Sequence, residues 1–141
     1  MTPGLLRAYA CTEYEAAGAV ARIGRRSKAV EALLRRLGSR QGGFVTAWNP
    51  YSRPMPAGWN RRMQTRLRET ARRLPMAEGS GRGRGWSERH LLIAADHRQV
   101  AVLARRFRQN AIVLVRIGAP ARLLVLAACA TRTGAAESRA G

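Results

Sequence analysis

The sequence predicts an α/β fold: a single layered domain in the order β-α-β-α-β-α-β-β, with a mostly parallel sheet and a terminal antiparallel pair. Three observations predict it. Apolar, β-rich segments alternate with segments of helical period, the pattern of crossover connections. The last two apolar runs are separated only by Gly118-Ala119-Pro120, which reads as a hairpin-like return. The chain has 141 residues, 46% of them hydrophobic, enough for one core. The domain is expected to span residues 1–129, and residues 130–141 read as a loose C-terminal tail.

Leu5 to Tyr14 carries Leu5, Leu6, Tyr9, Cys11, Thr12 and Tyr14 without helical spacing and reads as the first strand. After a glycine-containing connection, Ser27 is placed to cap a helix. Its Val30, Leu33, Leu34 and Leu37 recur at i, i+3, i+4 and i+7, and Gly38 is its stop. Gly42-Gly43 open a buried strand, Phe44-Val45-Thr46-Ala47-Trp48. Asn49-Pro50 ends it, because the proline fixes its own φ and moves Asn49 away from helical geometry. A second helix is expected over about residues 57–74, with Met63, Leu67, Ala71 and Leu74 as its apolar stripe.

Pro75 ends that helix, and Gly79-Ser80-Gly81-Arg82-Gly83-Arg84-Gly85 reads as a loop, too rich in glycine to hold one conformation without a contact. A mobile flap over the Asn49 turn is one use for it. Leu91-Leu92-Ile93-Ala94-Ala95 is the third strand. Asp96 with Gln99 opens a third helix in capping-box fashion, carrying Val100, Leu103, Ala104 and Phe107 and ending near Arg108. Ala111 to Val115 and Arg122 to Ala127 are the last two strands.

The chain carries 26 Lys and Arg against 8 Asp and Glu, a formal charge of +18, and 25 of the 26 cations are Arg. Arg in place of Lys is what GC-rich coding produces and leaves charge unchanged, so the shortage of acids is the physical signal. The excess is spread out: residues 22–40 hold 7 cations and 1 acid, residues 53–73 hold 7 and 1, and residues 82–108 hold 7 and 2. Such a field draws polyanions non-specifically, and guanidinium adds bidentate phosphate contact. On the second helix Arg61, Arg62, Arg66 and Arg73 crowd the polar side, with Arg82 and Arg84 in the glycine segment. They are the candidate nucleic-acid surface, and a solvated basic surface is the alternative.

No apolar run approaches the roughly 20 residues of a membrane-spanning helix, and Met1-Thr2-Pro3-Gly4 is not the start of a signal peptide. A cytoplasmic protein with no membrane partner is expected. Cys11 and Cys129 lie far apart with no metal-ligand spacing, and His90 and His97 are the only histidines. No metal site or cofactor is indicated, and the sequence assigns neither a catalytic residue nor an oligomeric state.

The most distinctive segment is Thr46-Ala47-Trp48-Asn49-Pro50-Tyr51-Ser52-Arg53, where polar groups gather as a strand ends and a helix is about to begin. In open α/β sheets ligands bind beyond the carboxyl ends of strands. Asn49 offers donor and acceptor, Ser52 a hydroxyl and Arg53 a fixed cation, a set suited to phosphate or carboxylate. Asn60 lies about 60° from Met63 on the helical wheel, at the edge of the apolar stripe, where an amide needs partners. It either ties down the Asn49-Pro50 turn or faces a ligand. Glu88 follows Trp86-Ser87 and is one of few acids near a predicted sheet edge; it reads as an ion-pair partner of an Arg or as a general acid/base. The glycine segment is no nucleotide fingerprint, since it follows a helix and precedes a strand.

In order, Ala8-Tyr9, Thr12, Tyr14, Thr46-Ala47-Trp48-Asn49-Pro50 with Ser52, Asn60, Leu67, Trp86 with Glu88, and Phe107-Arg108-Gln109-Asn110-Ala111 resemble the DUF3293 family. The resemblance runs from about Leu5 to Val115. It implies a small bacterial domain without an established activity, so no catalytic role carries over. The family pattern also puts such residues at Asn49, Pro50, Asn60, Glu88, Gln109 and Asn110. The arginines lie outside that pattern.

The expected function is a binding or regulatory module for an anionic small ligand such as a nucleotide, at Asn49, Ser52, Arg53, Asn60 and Glu88. Gln109 joins them only if the strand order permits, because a parallel pairing of the second and fourth strands would place it at the opposite edge. Non-specific nucleic-acid binding through the arginines and an enzyme using Glu88 as acid/base are the alternatives.

Overall fold

The computed structural model describes residues 1–126. Ala127, Cys129 and the expected tail at 130–141 lie outside the described residues. The chain opens with a helix where a strand was expected. Thr2 accepts the Leu5 N–H at 3.1 Å and Pro3 stands in the first turn, so α1 runs Pro3–Ala10. The first strand shrinks to β1, Glu13–Ala16, which turns at Ala17-Gly18 into an unexpected β2, Ala19–Ala21.

Helix α2, Lys28–Arg36, begins where Ser27 accepts the Val30 N–H at 3.2 Å and buries Val30, Leu33 and Leu34. It leads into β3, Gln41–Val45, a 3₁₀ turn at Pro50–Ser52, and α3, Ala57–Thr70. The glycine-rich segment is not a loop. It belongs to β4, Met76–Gly83, which pairs along its whole length with β5, Trp86–Ile93, around an Arg84-Gly85 turn. Asp96 caps α4, His97–Arg106, by accepting the Arg98 N–H at 2.7 Å. The chain ends its described course in β6, Ala111–Arg116, and β7, Ala119–Val125, turning at Ile117-Gly118.

The seven strands form one sheet in the order β2-β1-β4-β5-β3-β6-β7, and every neighbouring pair is antiparallel. The mostly parallel sheet expected from the sequence is therefore incorrect, and the physical reason lies in the crossovers. Helix α3 joins β3 to β4 and α4 joins β5 to β6, and each pair of joined strands does run in one direction. But β5 lies between β3 and β4, and β3 lies between β5 and β6, so each crossover skips a strand. This is the split β-α-β arrangement. The β1-β2 hairpin and β7 extend it on either side.

The sheet curls. An isolated bridge joins Ile23 to Ala121, bringing the chain beyond β2 against β7. Residues of both edges, Ala19, Ala21 and Ala121, pack with Val30, Leu33 and Leu34 of α2 and with Phe44, Leu92 and Val113. That side is the inner face of a half-barrel. On the outer face α3 and α4 bury Leu67, Ala71, Val100, Leu103 and Ala104 against Val45, Leu91, Ile93, Ile112 and Leu114. Strand β3 is covered on both faces, which explains its near-continuous burial from Gly42 to Ala47. No described helix is long and apolar enough to cross a membrane.

Candidate functional site

Helix α2 fills one half of the inner face. Over the other half lies α1, and between α1 and the sheet is a cleft of about 210 Å³. Its floor is Tyr14 of β1, His90 of β5, Phe44 of β3 and Val113 of β6; Leu5, Ala8 and Tyr9 of α1 form its roof. Glu88, Asn49, Ser52, Trp48, Trp86 and Gln109 stand at the end where β3 finishes and β5 begins. Two glycines, Gly81 and Gly83, make the room. Gly79, Gly81 and Gly83 of β4 are register partners of His90, Glu88 and Trp86. A Cβ at Gly81 would come within 2.6 Å of His90 Cε1, and one at Gly83 would overlap the Trp86 indole. The bare strand lets the side chains of β5 lean across it.

Asn49 is the best-anchored residue of the site. It adopts a left-handed conformation with φ 47°, as do Tyr51 at 52° and Ser52 at 62°, three uncommon backbone states for non-glycine residues. Its Oδ1 accepts the Met55 N–H at 2.9 Å and the Asn60 Nδ2–H at 2.9 Å, while its own N–H donates to Asn60 Oδ1 at 3.0 Å. With Oδ1 thus occupied by donors, Nδ2 must face Glu88, and it donates to Glu88 Oε1 at 3.0 Å. Around it, Asn110 Nδ2 donates to Ser52 Oγ at 2.6 Å and Gln109 Nε2 to the Trp48 carbonyl at 3.1 Å. The Tyr51 N–H donates to the Arg108 carbonyl at 2.7 Å.

Burial sets the electrostatics. It raises the Glu88 carboxyl above its ordinary value, against the lowering effect of the Asn49 amide. It also raises Tyr9, where the Ser52 hydroxyl opposes it and the Glu88 charge adds to it, and raises Tyr14 further still. His90 is pushed down to about 4, so its ring is neutral at pH 7. Its Nδ1 lies 3.2 Å from the Glu88 carbonyl, which places the proton on Nδ1. No Arg or Lys is among the described residues lining the cleft.

With this geometry in view, a sequence model for a family described as a protein of unknown function, DUF3293, matches residues 45–112. Over that stretch the chain is similar to the DUF3293 family. No curated protein and no solved structure matches the chain. The DUF3293 stretch begins at the end of β3 and ends in β6, so it holds the Asn49 turn, Asn60, Glu88, His90 and Gln109. The roof from α1 and the Tyr14 floor lie outside it, a narrower span than Leu5 to Val115.

Of the residues singled out in this chain, Asn49, Ser52, Glu88 and Gln109 line one cleft, and Asn60 holds Asn49 from behind. Gln109 arrives there because β3 and β6 are antiparallel, which puts the start of β6 beside the end of β3. Arg53 does not line the cleft; it is exposed, next in the chain to Ser52. Glu88 takes no guanidinium among the described residues, so the ion pair with Arg and the low pKa expected from it are replaced by an amide partner and a raised one. The flap over the Asn49 turn is likewise replaced by β4. Arg61, Arg62, Arg66, Arg73, Arg82 and Arg84 are all exposed, on or just after α3 and on the β4-β5 hairpin.

Sequence reasoning missed Tyr9, Thr12, Tyr14 and His90. A signal was present: Trp86, Glu88, His90 and Leu92 alternate with Ser87, Arg89 and Leu91, and Gly79, Gly81, Gly83 and Gly85 recur at the same period of two. Two adjacent segments of that period, joined at Arg84-Gly85, describe a hairpin.

Proposed function

We propose that this domain is a binding module for a small anionic ligand of nucleotide type, its planar base in the cleft and its phosphate outside on arginine. The cleft carries this reading. At about 210 Å³ it is smaller than the roughly 300–1,000 Å³ of drug-sized sites and suits one heterocycle. Its walls pair aromatic faces from Tyr14, Phe44, Trp48 and Trp86 with hydrogen-bonding groups on Asn49, Ser52 and Glu88. With no cation among its described lining residues, the cleft offers a phosphate no charge partner. Arg53 and Arg108, both exposed, are chain neighbours of the lining residues Ser52 and Gln109 and are the candidate phosphate partners. Nucleotide binding should perturb the indole N–H resonances of Trp48 and Trp86, and Arg53→Ala should weaken nucleotides while leaving nucleosides unchanged. Equal loss for both, or no loss for either, would remove Arg53 from the site.

The exposed arginines of α3 and the β4-β5 hairpin support a second reading, non-specific nucleic-acid binding. Six to ten phosphate contacts would cost roughly 10³–10⁵-fold in affinity between about 50 and 200 mM salt. Changing Arg62, Arg66 and Arg73 to Glu should abolish it, as read by fluorescence anisotropy of a labelled strand. The raised pKa of Glu88 supports a third, an acid/base role in an enzyme; full turnover by a Glu88→Gln variant of any activity found would exclude it.

A further inference from the structure

The ligand's chemistry can be read more finely from Glu88, the one carboxylic acid among the described residues that line the cleft. Glu88 accepts a single hydrogen bond among the described residues, from Asn49 Nδ2 on Oε1. An ionised carboxylate has about four acceptor sites and no donor. No guanidinium or ammonium among the described residues lines the cleft to fill the others. The partner that completes this group must therefore bring donors of its own. The Asn49 amide cannot turn to offer anything else, because Met55 and Asn60 hold its oxygen on the other side.

We propose that the cleft selects guanine, the Glu88 carboxylate accepting both the ring N1–H and the exocyclic amine of one guanine edge. This rests on the reading above that the cleft holds the base of a nucleotide. Guanine alone among the common bases presents two adjacent donors on its pairing edge. Adenine sets an acceptor beside its amine, cytosine sets two acceptors beside its amine, and uracil flanks one donor with two carbonyls. Each of those three turns a lone pair toward the carboxylate. Beside the two donors guanine carries a 6-oxo acceptor. The lining also contains Trp48, whose buried indole Nε1–H has no acceptor among the described residues. An acceptor-acceptor-donor site is the complement of the donor-donor-acceptor edge, and leaving a buried polar group unpaired is what makes such a site discriminate.

The test is a ¹H–¹⁵N NMR titration of the full chain with GMP, AMP, CMP and UMP at one salt concentration. It reads affinity from the isotherm and location from the Trp48 and Trp86 indole resonances. GMP is expected to bind at least about tenfold more tightly than the other three, guanosine to keep that preference over adenosine, and Glu88→Gln to abolish it. Equal affinities with shifted indoles would overturn the guanine assignment and leave the nucleotide cleft standing. Indoles unmoved by all four nucleotides would overturn both. A guanine-containing single strand extends the test to the source of the base. With the Trp48 and Trp86 indoles shifted, binding of the strand well above that of GMP assigns the base to a nucleic acid, and comparable binding assigns it to a free nucleotide; either supports the guanine edge. A strand of adenines bound equally well at the cleft would overturn it.

Discussion

At the scale of single residues, the cleft is built from groups that the fold holds at a cost. Glu88 is taken partly out of water with one amide for company, and its folded pKa is raised by burial. The stability associated with that shift is present below the ordinary glutamate value and is lost as pH rises through the folded value. Glu88→Gln keeps an oxygen for Asn49 Nδ2 and removes the charge, so it should stabilise the chain by about 1 kcal/mol at pH 7. Thermal melts from pH 7 downward should show the gain shrinking as the carboxyl of the native chain takes up its proton. His90 has the opposite sign. Its folded pKa is pushed down to about 4 by burial, so the unfolded chain binds more protons than the folded one between there and about 6.5. Stability present above that window should fall as pH drops through it. His90→Phe, which keeps the ring beside Tyr14, should flatten the profile in urea titrations if the imidazole is the cause.

Among the elements, β4 and α1 decide the shape of the site. The β4 glycines answer to different neighbours. A Cβ at Gly79 would strike the Glu15 carbonyl of the paired strand, backbone that cannot move aside, whereas one at Gly83 meets the half-exposed indole of Trp86. Gly79→Ala should therefore cost about 3 kcal/mol or more, Gly81→Ala less because the His90 ring must shift, and Gly83→Ala least, about 1 kcal/mol. Denaturant midpoints that rank the three otherwise would refute this account of the glycines. Helix α1 lends the roof but buries none of its own residues. It should be the first described helix to open, so its amides should exchange with solvent faster than those of β3 and β5. A ligand in the cleft should slow them.

For the molecule as a whole, charge is the dominant feature. Among the described residues only Glu13, Glu31 and Glu78 form ion pairs, with Arg22, Arg26 and Arg68. Against a formal charge of +18 these are few, and the remaining repulsion is spread over the surface. Salt shortens its range, from a Debye length of about 10 Å at 0.1 M to 3 Å at 1 M. The melting temperature should rise by several degrees over that interval in sodium chloride. A melting temperature that stays level or falls would mean that the arginines are already neutralised by their own neighbours.

Much of this was legible in the chain. The caps Ser27 and Asp96 and the stripe Val30-Leu33-Leu34 are local signals, set within a few residues by hydrogen bonding and dihedral preference, and they mark α2 and α4 where they stand; β3 ends at Val45, short of the Asn49-Pro50 stop. The gathering of Asn49 and Asn60 was legible too, since an amide at the edge of an apolar stripe must find a partner. Strand order was not. Nothing within the β3-α3-β4 segment says that β5 will slip between the two strands, because that choice depends on which faces bury the most apolar surface once all seven strands are present. The same holds for Glu88. Its neighbour in sequence is Arg89, which argues for an ion pair, but the alternation of β5 turns Glu88 to the inner face, away from Arg89 and toward Asn49. The sequence by itself determined the helices α2, α3 and α4, the charge and the polar turn; the tertiary structure alone decided which side chains meet, because partners 39 residues apart are chosen by packing of the whole sheet.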